Sequence, residues 1–180
     1  MQVATFTLLS HPPSDVGLGL VQRFRQDVAA MDHRIVSLPA FTVVGLEYIA
    51  RSPNGIGPLW ESFLPREHEV GLRAEPGISY GVCAPLPDGM LRYVAGLPVA
   101  DDAAVPEGMV KFHVPAQKYG VFTHRGVATQ IGETIRTIHT RLLPKLGLKA
   151  HAGVEFERYD ERFVAPDDPA SETDLYIPVE

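Results

Sequence analysis

The octapeptide FERYDERF, Phe156 to Phe163, holds three acids, two arginines, a tyrosine and two phenylalanines. If the residues before it begin a strand, a period of two sets Val154 and Phe156 on one face and Glu155, Glu157 and Tyr159 on the other. The first face suits a core, and the second suits whatever fills the space opposite. A carboxylate taken out of water costs several kcal/mol unless it is paired. Glu157 therefore either bridges an arginine such as Arg158 or Arg125, or serves as counter-charge to a cation. Aromatic faces such as that of Tyr159 add about 0.5 to 2 kcal/mol each to a bound positive group. Asp160, Glu161 and Arg162 read as a solvated strand end.

Other chemistries find less support. The seven histidines form no H-x-x-x-H or H-E-x-x-H pattern, and there is no C-x-x-C, so no metal site is expected. The stretch GLGLVQ lacks the spacing and preceding strand of a dinucleotide fingerprint, and no G-x-x-x-x-G-K-[ST] occurs, so no cofactor is expected either. Cys83 has no histidine near it in sequence and reads as a small strand residue. Trp60, the single tryptophan, shares the stretch PLWESFLP with Phe63, where its residue type points to core packing.

Composition sets the frame for these residues. With 180 residues, 45% of them hydrophobic and 21% charged, the chain suits one soluble globular unit with one sizeable core. Sixteen prolines and sixteen glycines favour short strands and turns. A net charge of -6 repels phosphate backbones, so direct nucleic-acid binding is not expected. No apolar run approaches the roughly 18 to 20 residues that span a bilayer. A single cysteine, with no basic-then-apolar leader, points to the cytoplasm.

The elements that must position Glu157 come in two similar sets. Leu38-Pro39-Ala40 matches Val114-Pro115-Ala116 at an offset of 114 − 38 = 76, and Gly77 before ISYGV matches Gly153 before VEFER at 76. FLP at Phe63 matches LLP at Leu142 (142 − 63 = 79), and LPV at Leu97 matches IPV at Ile177 (80). Four matches in one order argue for duplication. Each half reads strand, helix, strand, strand. In the first, RIVSLPAFTVVGLEYIA is one bent strand or two short ones around Pro39. A helix from Pro58 pairs Leu59 with Phe63 and Trp60 with Leu64, and ISYGVCA and LRYVAGLPV flank an Asp-Gly turn. In the second, MVKFHVPAQKYGVFTHRG repeats the bent strand. Ile131, Ile135, Ile138 and Leu142 then mark an amphipathic helix expected to stop at Pro144. GVEFERYDERF and TDLYIPV complete the unit. The expected fold is α+β: duplicated βαββ units whose antiparallel strands join about a pseudo-twofold axis, with helices on one face. Residues 1–33 form an extension holding a short strand, ATFTLLS, and a helix with Val16, Leu20, Phe24 and Val28 at helical spacing. The domain covers 34–180, with halves at about 34–104 and 105–180.

The motifs VPAQKYGVFTHRG, FERYDERF and TDLYIPVE, with VGLEYIARS, PLWESFLP and ISYGVC in the first half, resemble the GyrI-like effector-binding domains, in particular the integron-associated effector-binding subgroup. The resemblance covers roughly Arg34 to Glu180. It implies the duplicated unit, known as SHS2, with a small-molecule pocket between the halves. It also implies kinship with the ligand-sensing parts of AraC- and MerR-type transcription regulators and their multidrug recognition. Glu157 and Tyr159 match the family's E-x-Y element, whose acid recognises the ligand. Tyr80 and Gly81 fall at the duplicated position, where a glycine leaves room for a ligand. Trp60 and Phe63 lie where helix aromatics wall the pocket, and Tyr48, Tyr93, Tyr119, Phe122 and Tyr176 complete the candidate contacts, most of them expected in the core or at the rim. The expected partner is an amphipathic, cationic small molecule, with neither nucleic acid nor membrane and with a homodimer left open. Only about 33 residues precede the domain, too few for a DNA-binding module, so a stand-alone binding protein is expected. Two further functions stay open through the resemblance: hydrolysis of reactive rings, with Glu157 as general base assisted by Tyr80 or Tyr159, and inhibition of a protein partner.

Overall fold

The computed structural model of the chain describes residues 31–180, and the strand and helix expected within the first 30 lie outside them. Pro39 divides the first bent strand in two. β1 (His33–Leu38) pairs with β6 (Gln117–Arg125) of the second half, while β2 (Phe41–Ala50) pairs with β4 (Leu91–Val99) of its own. Pro115 does the same in the second half: β5 (Val110–Val114) pairs with β2, and β6 pairs with β8 (Glu172–Pro178). A proline with no N–H to offer ends one ladder, and the chain turns the corner into another. Each half thus lends its first strand to the other.

β3 (Ser79–Pro85) and β7 (Glu155–Tyr159) join the halves at the centre. The antiparallel order is β1-β6-β8-β7-β3-β4-β2-β5, which reads the same when the two halves exchange. Gly81 is the direct cross-strand partner of Glu157. These residues also differ by 157 − 81 = 76, the offset of the repeat, so the pseudo-twofold axis passes through this one pair.

The sheet is curled. Phe41 on β2 and Phe156 on β7 would sit about 14 Å apart across three strand spacings of a flat sheet, yet their rings approach to 5.3 Å. They close a cluster with Val43, Tyr80, Val82, Val94, Val114, Tyr119, Val121 and Tyr176. On the other face, α1 (Ile56–Phe63) lies over β2 and β4 and inserts Phe63, fully buried beside Val44, Tyr93, Ala95 and Leu97. α2 (Ile131–Thr137) lies on the same face farther along, where Thr134 bonds His124 of β6 at 2.9 Å.

The second helix does not stop at Pro144. It widens into a π turn over Ile138–Leu142, resumes as α3 (Leu143–Lys145), and carries Pro144 inside that last turn. In a straight α-helix the proline ring would press on the carbonyl four residues back, and the wider turn relieves that clash. Gly147, at φ +69°, ends the helix, with Leu148 N–H bonded to Leu143 O.

Candidate functional site

Alternation along β7 places Phe156 in the aromatic cluster under the curl and Glu155, Glu157 and Tyr159 on the helix side. β3 does the converse arithmetic: Tyr80 and Val82 join Phe156, which leaves Gly81 and Cys83 on the helix side. α1 covers β2 and β4 on one flank, and the α2 segment reaches β6 and β7 on the other. The central strands therefore form the floor of a recess between the helices, and Glu157 stands in it, half-buried.

Its carboxylate is met by hydroxyls. Tyr93 donates to Oε2 at 2.5 Å and Tyr159 to the same oxygen at 2.7 Å. The indole Nε1 of Trp60, sent down from α1, donates to the Tyr93 hydroxyl at 3.1 Å, so a relay runs from helix to tyrosine to carboxylate. The Trp60 ring stands edge-on to Tyr159 at 5.3 Å and to Phe63 at 6.0 Å, and Phe163 packs on Tyr159 at 4.8 Å. Gly81 is what permits this arrangement. A Cβ there would overlap the Tyr93 hydroxyl and come within 2.5 Å of Glu157 Oε2. The glycine makes room for the carboxylate and its tyrosine.

Burial raises the Glu157 carboxyl above the usual range; the Tyr93 and Tyr159 hydrogen bonds pull against that, and the charge of Glu155 adds to it. The Tyr93 and Tyr159 hydroxyls are pushed well above their ordinary value by burial first and by the Glu157 charge next. They are donors to the carboxylate at any ordinary pH. Among the described residues Glu157 has no ion-pair partner. The arginines that competed for it on sequence are engaged elsewhere: Arg158 with Asp160 at 2.6 Å and Glu75 at 3.6 Å, Arg125 with Asp32 at 2.8 Å and Glu172 at 2.9 Å. Two hydroxyls stabilise a carboxylate but supply no positive charge.

The remaining expected contacts divide by face. Trp60, Tyr93, Tyr159 and Gly81 converge on Glu157, and Phe63 supports Trp60 from the core. Tyr48 is at the edge of α1, its hydroxyl donating to Ser52 O and its ring against Gly55. Phe122 is buried on the helix side, stacked on His33. Tyr80, Tyr119 and Tyr176 belong to the cluster on the opposite face, where Tyr80 donates to Glu75 and Tyr119 accepts from Gln117. Tyr80 follows from period two: once Gly81 faces the recess, its neighbour faces away.

Two features escape the reading of single residues. His139 reaches the floor from the π turn and meets Glu155 Oε1 at 2.7 Å. Asp160 and Arg162 are no solvated strand end but part of an ordered network. Arg162 bridges Asp160 at 2.8 Å and Asp174 at 3.0 Å, and Asp174 also takes Arg34 at 2.9 Å and the Thr123 hydroxyl at 2.8 Å. No group of side chains suited to a metal occurs among the described residues, nor is any helix among them long and apolar enough to cross a membrane.

A family model described as integron-associated effector binding protein matches residues 34–179. The transcriptional regulator BrlR of Pseudomonas aeruginosa is 55% identical over 150 residues, which are 83% of this chain and 56% of that protein. The chain thus spans little more than half the length of that relative. Among solved structures, SAV2435 bound to tetraphenylphosphonium superposes with a TM-score of 0.67 at 18% identity, over 83% of this chain and 94% of the other. An integron cassette protein from the mobile metagenome of Vibrio cholerae gives 0.53 at 18%, over 82% and 95%. At such identities these two establish a shared fold.

Proposed function

The chain belongs to the integron-associated effector-binding protein family, and on that premise we propose that it is a receptor for a lipophilic, cationic small molecule held over Glu157. The observation that carries this reading is the state of that carboxylate: raised by burial, bonded only to tyrosine hydroxyls, and without an ion-pair partner among the described residues. Trp60 and Tyr159 supply aromatic walls to a positive group. The fold-mate bound to tetraphenylphosphonium supports the choice of cation. Ring faces and one carboxylate ask for charge and apolar bulk rather than a particular shape, which favours recognition of several such molecules. The palindromic strand order supports a duplication of SHS2 halves, about 34–104 and 105–180. A transcription-regulatory output is the reading that the name of the 55% relative suggests.

The test is titration of the protein with tetraphenylphosphonium, followed by Trp60 fluorescence and by calorimetry. Saturable binding that Glu157→Gln weakens at least tenfold, about 1.4 kcal/mol, supports the receptor. Undiminished affinity in that variant removes Glu157 from its central role. A second reading, hydrolysis of a strained electrophilic ring, is favoured by the same raised carboxyl, since a base poised nearer neutrality suits proton abstraction from water. In that mechanism the adjacent hydroxyls are those of Tyr93 and Tyr159, because Tyr80 faces away. Product formed from an epoxide panel, and lost in Glu157→Gln, distinguishes turnover from stoichiometric binding.

A further inference from the structure

The pseudo-twofold axis through Gly81 and Glu157 relates the two helical segments as well as the strands. FLP at Phe63 and LLP at Leu142 differ by 79, and the same step carries Trp60 onto His139 (60 + 79 = 139). Both residues send a ring nitrogen from helix to floor: Trp60 Nε1 to the Tyr93 hydroxyl, His139 Nε2 to Glu155. The recess thus has two comparable flanks. On the first, the relay ends on Glu157. On the second, it ends on Glu155, which lies two residues along β7 on the same face, about 7 Å away at the rise of a strand. Cys83, the cross-strand partner of Glu155, separates it from Tyr93 on β4. Glu155 is half-buried, and its ion-pair partner among the described residues is His139, itself half-buried on the π turn. The neighbouring cation on the helix, Arg136, is held by Glu133.

We infer that the ligand site is bipartite: Glu157 takes one positive centre, and Glu155, drawn away from His139, takes a second positive centre of the same molecule. The ligand class is then an elongated aromatic bis-cation with charges separated by about two strand residues, roughly 7 Å. A histidine is well chosen as the resting partner. Glu155 holds its imidazole toward the protonated form through their hydrogen bond, and a permanent cation that takes its place on Glu155 lets the ring give up that proton, a release open to histidine and closed to arginine. The inference rests on the cation-receptor reading and specifies its second contact.

The experiment compares two isosteric rods in calorimetric titrations of the full chain: N-methyl-4-(4-methylphenyl)pyridinium, with one charge, and N,N′-dimethyl-4,4′-bipyridinium, with two. Tetraphenylphosphonium serves as reference. The bis-cation is expected to bind on the order of tenfold more tightly than its one-charge counterpart. Glu155→Gln should collapse that ratio toward one, and His139→Ala, which removes the competing partner, should enlarge it. Equal affinity of the two rods overturns the bipartite site while leaving the receptor in place. So does a ratio that survives Glu155→Gln. If none of the three cations binds, the receptor reading falls and this inference falls with it. Circular dichroism of both variants checks the fold, and should Glu155→Gln fail to fold, the His139→Ala ratio decides alone: no increase refutes the second site.

Discussion

Glu157 and Asp160 lie three residues apart in one octapeptide and occupy opposite electrostatic surroundings. Glu157 faces the helices, bonded to two tyrosine hydroxyls, with its carboxyl pushed up by burial. Asp160 follows the end of β7 and is clamped by Arg158 and Arg162, the latter through hydrogen bonds that hold its carboxyl down at about 2. The first acid lacks a cation and the second is saturated with them. Proximity in sequence says nothing of this difference; strand alternation and the end of the strand decide it. A stabilising charge is one whose partners are built in, and a recognising charge is one whose partner is left to arrive.

Substitutions on each side should therefore fail in different ways. The largest effect is expected at the centre of the network. Asp174, 2% exposed, receives Arg34, Arg162 and Thr123, and Asp174→Ala removes the acceptor that all three share, at a cost of about 3 kcal/mol in lost charge-assisted hydrogen bonds. Urea unfolding should show that loss, with tetraphenylphosphonium affinity retained. Glu157→Gln should do the reverse. Cation affinity falls by about 2 kcal/mol, on the order of 30-fold, while stability at neutral pH holds or rises. The sign follows from linkage: a folded-state carboxyl raised above its unfolded value contributes stability at low pH that is lost as pH rises through the folded value. The variant removes that loss.

Asp160→Asn is next, at about 1 kcal/mol. A carboxyl lowered from 3.8 to about 2 contributes stability that is full above its unfolded value and disappears as pH falls through the folded one. The acid limb of the natural chain should therefore be steeper between those values than that of the variant, as thermal unfolding across pH will show. The smallest effect is expected for Tyr93→Phe. The hydroxyl holds the Glu157 carboxyl down against burial, so its removal should move the acid limb of cation binding to higher pH while leaving affinity at alkaline pH nearly unchanged. A midpoint that stays in place would show that Tyr93 does not control the ionisation of Glu157.

Much of this arrangement is legible in the sequence alone. Period two in VEFERY separates Phe156 from Glu157 and Tyr159, the two Pro-Ala corners mark the strand breaks, and the repeat offset aligns Gly81 with Glu157. What sequence could not supply is cross-strand register. Tyr93 reaches Glu157 because β4 pairs with β3 and β3 with β7, two pairings set by the whole sheet. The ion-pair network is hidden for the same reason, since Asp160, Asp174 and Arg34 belong to three strands or their ends. Tyr80 is different. The repeat aligns it with Gly81 at the duplicated position, but adjacent strand residues face opposite ways, and the alternation that places Glu157 in the recess separates the two. The π turn that carries the chain past Pro144 answers to local strain that a hydrophobic stripe does not register.

The central claim is that Glu157 is a carboxylate waiting for a cation, and its own titration tests that most directly. Carbon-13 NMR of the glutamate side-chain carboxyls, assigned with Glu157→Gln, follows the group with and without tetraphenylphosphonium. The account predicts a midpoint above the ordinary glutamate range in the free protein and a clear downward shift when the cation is bound. A midpoint in the ordinary range that the cation leaves unmoved would contradict it.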